Sequence, residues 1–572
     1  MLKGKSPSEG HAVGTIVLYE KPEIEVEKSA CDEPEACLKT LNQALDQAYK
    51  DLDQVREKAL DSMGEEHAEI FEAHQQMVKD PEIMNQTKAM IENDKVDAAF
   101  AFKSVTDQFI TIFEGMEDEY FRGRAADIKD IQYRVLALLK GVEYKDLSAL
   151  NEDTIVVAHD LAPSDTAGLD LDYVKGFITE VGGMTSHTAI MARALSLPAM
   201  VGVKDAMKTL KDGETVYLNA TDGDIVRNPD SAMLEKAKKR VEEQEKVKAR
   251  LQAFKDEPTK TKDGTAVPLY ANVGSDNDIP IAREAGAEGI GLYRTEFLFM
   301  NSDTMPDEET QRKAYQAMFE AFHPVIVRTL DIGGDKKLPY LKQEEEMNPF
   351  LGKRAIRLTL QEKELFKTQI RALLTAAKDQ SDVWIMFPMV ARKDELMSGK
   401  EVVHEVIAEL ENEDKPYQSN IKYGIMIEIP AAALNAKSLA KEVDFFSIGT
   451  NDLIQYTYAA DRMNENVSYL YEPFDPTLLR LMKHTLDAAH EEDTEIGVCG
   501  EMAGDMNAAL ILSGMGMNEL SMSPGSILPL REALSKVTTK DLRALADEVL
   551  ALDDADTVKA KVDTFKKTHG IE

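Results

Sequence analysis

The sequence predicts a multidomain protein, in which an α/β domain with an inserted α-helical bundle is followed by a long linker helix and a C-terminal (β/α)8 TIM barrel. Three features indicate this fold class. Apolar residues recur three and four positions apart between about residues 33 and 139, as in amphipathic helices. Strand-like runs flank that region on both sides. Beyond residue 258, eight strand-like runs alternate with helix-length segments, which is typical of such a barrel.

Charge and hydropathy limit the classes of partner. The chain has 572 residues and a formal net charge of −36, which argues against nucleic acid and against an anionic membrane as partners. A basic protein partner would suit this charge, although an acidic surface that serves only solubility explains it equally well. No apolar run reaches about 18 residues, and the N-terminus lacks the apolar core of a signal peptide. We therefore expect a cytoplasmic protein.

Cysteine is rare in the chain. Cys31, Cys37 and Cys499 are too few for a disulfide framework, and their spacing does not form a metal-ligand set. We expect any importance of these cysteines to be individual.

The N-terminal part contains strand-like segments on either side of a helical segment. Residues 1–30 contain a turn-rich lead into a strand, and residues 143–229 contain further strand-like runs, such as Thr154–Ala158 and Thr215–Asn219. Between them, residues 31–142 predict several helices, with Asp80 and Pro81 marking a helix stop and restart. The helices therefore read as an insertion between two parts of one α/β domain.

Residues 230–257 predict the linker helix. Asp230 or Ser231 can cap a charged run, Met233 to Phe254, in which Lys and Glu recur at helical spacing and apolar residues are few. As a helix this run would be about 33 Å long. We interpret it as a solvated connector.

Residues 258–572 predict the barrel, and polar residues stand at the ends of its strands. The eight runs are Leu269 to Val273, Gly289 to Tyr293, Val325 to Leu330, Val383 to Met389, Tyr423 to Ile427, Phe445 to Gly449, Glu495 to Val498 and Glu519 to Met522. Active sites of such barrels lie at the carboxyl ends of the strands. Arg294, Arg328, Glu428, Asp452 and Cys499 all stand at or just after a strand end, so we expect a site there.

The side chains at this mouth suggest an anionic guest and a metal. Arginine and lysine match phosphate and carboxylate groups, and five of them could reach one mouth: Arg294, Arg328, Arg354, Arg462 and Lys336. Glu428 and Asp452 offer oxygen ligands that suit Mg²⁺, and Mn²⁺ for the same reason. Taken singly, each arginine could be a salt-bridge partner and each carboxylate a helix cap.

A histidine in the α/β domain stands where a phosphate would be stabilised. Gly182 and Gly183 follow a strand-like run, and His187 stands at the start of an apolar helical segment. Backbone N–H groups at a helix start favour anions, and a neutral imidazole is a nucleophile. From turn rules alone, His187 could also be an ordinary capping or core histidine.

Residues 182–202 (GGMTSHTAIMARALSLPAMVG) resemble the phosphohistidine segment of the enzymes that move phosphate between phosphoenolpyruvate (PEP) and a histidine. These are Enzyme I of the bacterial sugar phosphotransferase system and the group of pyruvate phosphate dikinase and PEP synthase. Barrel segments such as residues 291–298 (GLYRTEFL) and 449–456 (GTNDLIQY) resemble the PEP-binding barrel of Enzyme I. The resemblance extends to the helices, at residues 68–74 and 124–127, and covers essentially the whole chain.

The resemblance implies a function. The protein would transfer the phosphoryl group of PEP to His187 and then to a histidine of the phosphocarrier protein HPr, releasing pyruvate, in the first step of sugar uptake. Residues 1–30 and 143–229 would be the phosphohistidine (swivelling) domain, residues 31–142 the HPr-binding domain, and residues 258–572 the PEP-binding barrel, through which a homodimer would form. The linker helix and the segments 141–151 and 228–231 would then be candidate hinges.

The resemblance also assigns residue roles. Cys499 would protonate the enolate and Thr166 would hydrogen-bond His187. Glu428 and Asp452 would bind Mg²⁺. The residues implied to hold PEP are Arg294, Arg328, Arg354, Lys336, Asn451, Asp452 and Arg462. Those implied to contact HPr are Glu65, Glu66, His74, Asp80 and Arg124.

Two positions depart from the pattern of the sugar-system enzymes. Met184 stands where those enzymes usually have arginine, and Lys353 where an aromatic residue is common. Met184 is closer to the dikinase form, but a dikinase needs a nucleotide-binding domain before the phosphohistidine segment, and no P-loop pattern is found. A non-catalytic regulator of the same fold is the other alternative. It would be expected to lack His187, Cys499, an arginine or a metal carboxylate.

Overall fold

The computed structural model describes residues 2–571 in two compact units, Met1–Lys248 and Ala249–Glu572, except at some positions. The excepted positions are 64, 115–118, 143–146, 148–149, 151, 163–164, 166–168, 183–186, 196, 301, 303, 335–337, 339, 342–345 and 463. Side chains are not described at 58–63, 65–70, 73, 114, 119–124, 126, 187, 190, 193–194, 277 and 465. No helix within the described part of the chain is long and apolar enough to cross a membrane.

The first unit contains a sheet of eight strands. These are β1 (Leu2–Lys3), β2 (Lys5–Ser8), β3 (His11–Tyr19), β4 (Thr154–Ala158), β5 (Val174–Thr179), β6 (Ala199–Val201), β7 (Thr215–Asn219) and β8 (Asp224–Arg227). They are ordered β1-β8-β7-β3-β4-β5-β6-β2. Because β3 pairs in parallel with β4, the sheet joins the segments that precede and follow the helical insertion. Helices His187–Ala194 and Ala206–Thr209 accompany these strands.

Within the described residues, five helices lie between β3 and β4. They are α1 (Pro34–Met63), α2 (Glu65–Val78), α3 (Pro81–Asp94), α4 (Ala98–Glu114) and α5 (Glu119–Lys140). Their apolar faces form one core, in which Leu41, Leu52, Phe102 and Val135 are almost fully buried. The predicted helix stop at Asp80 is confirmed, since this carboxylate caps α3 by accepting from the N–H groups of Glu82 and Ile83.

The expectation that each cysteine acts individually is wrong for two of them. Cys31 and Cys37 form a disulfide, with Cα atoms 6.6 Å apart. Three cysteines are too few for a framework of several bridges, but two of them suffice for a single local bridge. The start of α1 between the two cysteines turns the chain back on itself, and this brings them together.

The linker segment forms one helix, Ser231–Gln252, in which only Ala237 is buried. Near its middle, Arg240 donates to the hydroxyl of Tyr217 at 3.1 Å. At its end, Arg250 pairs with Glu532 at 3.0 Å. The boundary between the two compact units falls within this helix. The domain limits given above remain predictions.

The second unit is a closed barrel, which confirms the predicted fold class. Its strands are β9 (Leu269–Val273), β10 (Ile290–Arg294), β11 (Val325–Arg328), β12 (Val383–Phe387), β13 (Ile421–Ile427), β14 (Phe445–Ile448), β15 (Glu495–Val498) and β16 (Glu519–Met522). Each pairs in parallel with the next, and β16 closes on β9. All eight predicted runs are strands, with ends shifted by at most a few residues.

Helices surround the barrel. They are Ile279–Glu284, Glu296–Met300, Glu308–Ala321, Ile356–Thr359, Lys363–Ala376, Lys393–Asn412, Pro430–Leu434, Ala436–Ala440, Thr450–Tyr458, Pro476–His490, Met506–Met515, Ile527–Ser535, Thr539–Leu550 and Ala555–His569. Strand residues that point outward, such as Ile385 and Phe387, pack in the main core beneath these helices. Inward-pointing side chains form a separate cluster within the barrel: Leu292, Ile326, Met386, Met426, Phe445 and Cys499.

An acidic side chain lies among the inward-pointing residues at the start of β16. Burial, and then repulsion from Glu495, raise the pKa of Glu519 well above its ordinary value of 4.5. When Glu519 is ionised, its charge raises the pKa of Tyr270 on the neighbouring strand β9. The folded protein therefore keeps a proton on Glu519 at pH values at which the unfolded chain has released it.

This proton predicts a pH-dependent stability. The unfolding free energy should fall as pH rises above 4.5, by at most about 1.4 kcal/mol per pH unit from this group. In Glu519→Gln this contribution disappears. The melting temperature of the variant, relative to that of the wild type, should therefore rise as pH increases from about 5 to about 8. Thermal unfolding of both proteins across this range measures the difference. Parallel melting curves would contradict it.

Candidate active site

The strand ends of the barrel surround a cavity of about 530 Å³. Strands and the segments that follow them bring its walls together, although the residues are far apart in sequence. Eight of the residues singled out above line it: Arg294, Arg328, Arg354, Glu428, Asn451, Asp452, Arg462 and Cys499. Lys336, the remaining cation, lies outside the described residues. The structure thus brings together all the described members of the predicted barrel site.

Two buried arginines line the cavity, and each forms ion pairs with acidic residues. Arg328, only 6% exposed, pairs with Glu296 and, at 3.1 Å, with Asp331. Arg354 donates to both oxygens of Asp331, at 3.0 and 3.2 Å, and lies 3.5 Å from Asp452. Burial alone would lower the pKa of each guanidinium, but the surrounding carboxylates outweigh it and raise both pKa values. Both arginines therefore remain charged.

Sequence reasoning missed Glu296 and Asp331 as site residues. Asp331 follows Arg328 by three residues, and Glu296 follows Arg294 by two, so each lies in the segment that a strand end begins. That position is the signal that could have identified them, because charges at neighbouring strand ends of a barrel meet at one mouth.

Arg294 differs from the other two arginines. Burial lowers its pKa, and repulsion from Arg328 lowers it further, while Glu296 opposes both effects only in part. Its charge is therefore incompletely compensated by the protein. An anion in the cavity would supply the missing compensation.

Glu428 and Asp452 form the acidic side of the cavity. Glu428 is 1% exposed, and one of its carboxylate oxygens accepts from the N–H of Met389 at 2.6 Å. Burial, followed by repulsion from Asp452 and Asp331, raises the pKa of Glu428 to about 8. Among the described residues, Oδ1 of Asp452 is buried without a hydrogen-bond partner. A divalent cation between these carboxylates would relieve the repulsion, so the residues present fit a magnesium site.

Cys499 closes the floor of the cavity. It is 2% exposed, and its thiol points to the carbonyl oxygen of Ile448 at 3.7 Å. Burial raises the pKa of this thiol to about 12, so the sulfur keeps its proton at neutral pH. The side-chain amide of Asn272 donates to the Cys499 carbonyl at 2.9 Å and fixes the main chain there.

Glycine allows two segments of the mouth to approach closely. A Cβ at Gly500 would collide with Thr450, which begins the helix that carries Asn451 and Asp452. Asn451 in turn donates to Glu501 at 3.1 Å, and the Glu501 N–H donates back to Asn451 at 3.3 Å. The absence of a side chain at residue 500 therefore lets these two strand-end segments interlock.

In the first unit, the predicted nucleophile stands where the sequence placed it. Helix His187–Ala194 begins at His187, after Gly182, whose φ of +106° favours glycine. Thr188 faces Asp160, with its hydroxyl 3.3 Å from a carboxylate oxygen. The His187 side chain, Met184 and Thr166 lie outside the described residues, so their assigned roles remain predictions.

A buried ionic cluster connects the helical bundle with the sheet and with Asp165. Lys21 bridges Asp130 of α5 at 3.2 Å and Asp165 at 2.9 Å. Tyr19, at the end of β3, donates to the same Asp165 at 2.7 Å. Burial would lower the pKa of Lys21, but the two carboxylates outweigh it and raise the pKa. The lysine thus holds the bundle to the segment that leads into Thr166.

Loss of this lysine should destabilise the protein. In Lys21→Met, two buried carboxylates lose their shared cation, so we expect a cost of about 3–5 kcal/mol. Thermal and denaturant unfolding of the full chain would measure it. Lys103→Met is a matched control with little expected effect, because Lys103 pairs with Asp107 on the exposed side of α4. Equal stability of the two variants would contradict this prediction.

The residues implied to contact a partner protein have varied surroundings. His74 is fully buried, with Nε2 3.3 Å from Asp127, so it would influence a docking surface only through its neighbours. Asp80 has the capping role described above. The side chains of Glu65, Glu66 and Arg124 lie outside the described residues.

Comparison with known proteins assigns three family models to the chain. They are described as PEP-utilising enzyme, N-terminal, at residues 3–124, as the mobile domain at residues 150–223, and as the PEP-binding domain at residues 248–539. Each model describes a part of the same class of enzyme, and together they cover most of the chain.

Individual relatives match over nearly the full length. A phosphoenolpyruvate-protein phosphotransferase of Bacillus subtilis is 45% identical over 99% of this chain and 100% of its own length. One of Enterococcus faecalis is 46% identical, with the same coverage of both chains. Among solved structures, an NMR structure of an Enzyme I protein, nEIt, is 38% identical and covers 43% of this chain and 100% of its own, with a TM-score of 0.40.

Proposed function

Because the chain belongs to the phosphoenolpyruvate-protein phosphotransferase (Enzyme I) family of PEP-utilising enzymes, we propose that it transfers the phosphoryl group of PEP to its own His187. The phosphoryl group then passes to a histidine of HPr, and pyruvate is released. This is the first step of sugar uptake by the phosphotransferase system. The protein acts in the cytoplasm, as a homodimer formed through the barrel.

The observation that carries this proposal is the barrel cavity. Arg294, Arg328, Arg354 and Arg462 converge there on a volume of about 530 Å³, next to the carboxylates of Glu428 and Asp452. PEP is a small trianion with one phosphate and one carboxylate, and arginine binds both groups through paired N–H donors. Arg294, whose pKa is lowered by burial and by Arg328, would gain compensation from such a guest.

The same side chains account for the transfer step. In the transition state, charge accumulates on the phosphoryl oxygens and on the departing enolate, and fixed guanidinium groups offset it without reorganising. Glu428 and Asp452 would hold Mg²⁺, or Mn²⁺ in its place, which supplies further positive charge to those oxygens. The imidazole of His187 attacks phosphorus in line, and Thr166 orients the ring through a hydrogen bond.

Cys499 completes the reaction by giving its proton to the enolate carbon. A group in this role must hold a proton in the free enzyme, and the buried thiol does so because its pKa is raised to about 12. The same burial keeps water away from the enolate until it is protonated. Pyruvate then leaves the cavity.

The proposal is tested with ³²P-labelled PEP and Mg²⁺ in the absence of nucleotide, followed by addition of HPr. We expect acid-labile, base-stable label on the protein, as for a phosphohistidine, and its transfer to HPr. Label that arises only from ATP would instead support a dikinase, and no label from either donor would support a non-catalytic regulator. Light scattering with and without PEP and Mg²⁺ tests the homodimer.

A further inference from the structure

Three neighbouring strands of the barrel carry Ser447, Gly497 and Glu519 in one layer. Ser447 of β14 pairs with Gly497 of β15, and Gly497 pairs with Glu519 of β16. Alternation along the strands places all three in the barrel interior, since Phe445 and Cys499, each two residues away from one of them, belong to the inward-pointing cluster. The layer lies below Cys499, towards the base of the barrel.

Gly497 leaves room for the side chain of Glu519. A Cβ at Gly497 would collide with the carboxyl group of Glu519 and would lie 2.7 Å from its Cγ. The acidic side chain therefore occupies the space where residue 497 would otherwise place its own. This directs the Glu519 carboxyl across β15 towards the strand that carries Ser447.

Ser447 lies on β14, next to Gly497 of β15 and in the layer below the thiol. It is fully buried, and its hydroxyl contacts Cys499 closely enough to counteract part of the rise in the thiol pKa. Within the described part of the chain, Ser447 Oγ and Glu519 Oε2 are both buried polar atoms without a hydrogen bond of ordinary geometry. Buried polar atoms of this kind are rare and call for an explanation.

The proposed reaction creates a need that these groups can meet. When Cys499 gives its proton to the enolate carbon, a C–H bond forms and a thiolate remains in a buried site that disfavours charge. The thiol must be restored before the next PEP can react. On the cavity side the thiolate faces pyruvate, so a proton donor at the base of the barrel has an advantage.

We propose that Glu519 and Ser447 return a proton to Cys499 after each turnover. The carboxyl O–H of Glu519 protonates the Ser447 hydroxyl as that hydroxyl gives its own proton to the thiolate. Glu519 then regains a proton from solvent at the base of the barrel. Neither residue contacts the substrate, so both act through Cys499, and the inference rests on the proposed role of that thiol.

The protonation state of Glu519 agrees with this role. Burial and repulsion from Glu495 raise its pKa, which favours the protonated carboxyl group that the relay needs. Glu495 itself is exposed and stands at the start of β15. Glu491, which is exposed and pairs with Lys437 at 2.7 Å, provides a matched carboxylate outside the layer.

The test compares the first turnover with later ones. Pyruvate formation is followed by rapid quench with PEP and Mg²⁺ in excess and HPr as acceptor, for Glu519→Gln, Ser447→Ala and the control Glu491→Gln. The first turnover uses the proton already on Cys499, so we expect a burst of one pyruvate per site at the wild-type rate. Later turnovers should be at least tenfold slower in the first two variants, with kcat/KM for PEP unchanged, and unaffected in Glu491→Gln.

Each other outcome has a definite meaning. A merely structural role would slow the first turnover as well, and wild-type steady-state rates in both variants would show that the proton arrives by another route; either result overturns the relay. Cys499→Ala separates this failure from that of the proposed function. If it forms pyruvate at the wild-type rate, Cys499 is not the donor, whereas a slow Cys499→Ala beside normal Glu519→Gln and Ser447→Ala rejects the relay alone.

Discussion

Replacing His187 by alanine is expected to abolish phosphorylation of the protein by PEP. In the proposed reaction, the imidazole of His187 provides the atom that accepts the phosphoryl group. Removal of a catalytic nucleophile lowers rates by on the order of 10⁶-fold in well-studied enzymes. The experiment is incubation of the variant with ³²P-labelled PEP and Mg²⁺, followed by acid and base treatment of the labelled protein. Label should be absent at times when the wild type is fully labelled.

A second histidine of the same unit supplies the matched control. His159 is exposed and bonds to Glu180 at 2.8 Å on the surface. His159→Ala should therefore accept label at the wild-type rate. Persistent base-stable label on His187→Ala would show that another residue accepts the phosphoryl group. Loss of label in both variants would indicate a general effect on the fold.

Removal of the Arg354 guanidinium is expected to have the largest effect within the barrel. Arg354 is 3% exposed and joins Asp331 to Asp452 beside Glu428, so Arg354→Met removes one of the cations that compensate these buried carboxylates. We expect kcat/KM for PEP to fall by about 10³-fold, equivalent to about 4 kcal/mol of transition-state stabilisation. Steady-state kinetics with PEP and HPr measure the change.

Two further measurements separate chemistry from folding. Arg354→Lys keeps the charge but loses the planar fork, so its kcat/KM should lie between those of the wild type and Arg354→Met. In the proposed mechanism, transfer from phosphorylated HPr back to His187 does not use the barrel cavity. It should therefore proceed at the wild-type rate in Arg354→Met. If that reverse transfer falls in parallel with the forward reaction, the substitution has disturbed the whole protein.

The sequence was informative wherever a local pattern carries a local consequence. The period of apolar residues distinguished the helices of residues 31–142 from the strands on either side, because the two structures expose side chains with different repeats. Eight alternations implied a barrel, and the barrel rule then placed Arg294, Arg328, Glu428, Asp452 and Cys499 at one end. All of these line the observed cavity.

The sequence was less informative about charge partners. No local sequence pattern shows that Asp331 forms ion pairs with both Arg328 and Arg354. Arg354 lies on a separate segment and reaches Asp331 only after the barrel closes. The link from Lys21 to Asp130 and Asp165 joins three distant segments in the same way. Ion pairs of this kind depend on distances of a few ångströms, which spacing along the chain does not determine.

By itself, then, the sequence determined the order of the elements, the barrel, the strand-end position of the site residues and the family. Tertiary structure alone decided which charges compensate one another, why Arg294 remains in need of an anion, and that Gly497 makes space for Glu519 beneath Cys499. The physical reason is that hydrophobic periodicity is a property of consecutive residues. Burial, pKa shifts and close contacts arise between residues that meet only in the folded chain.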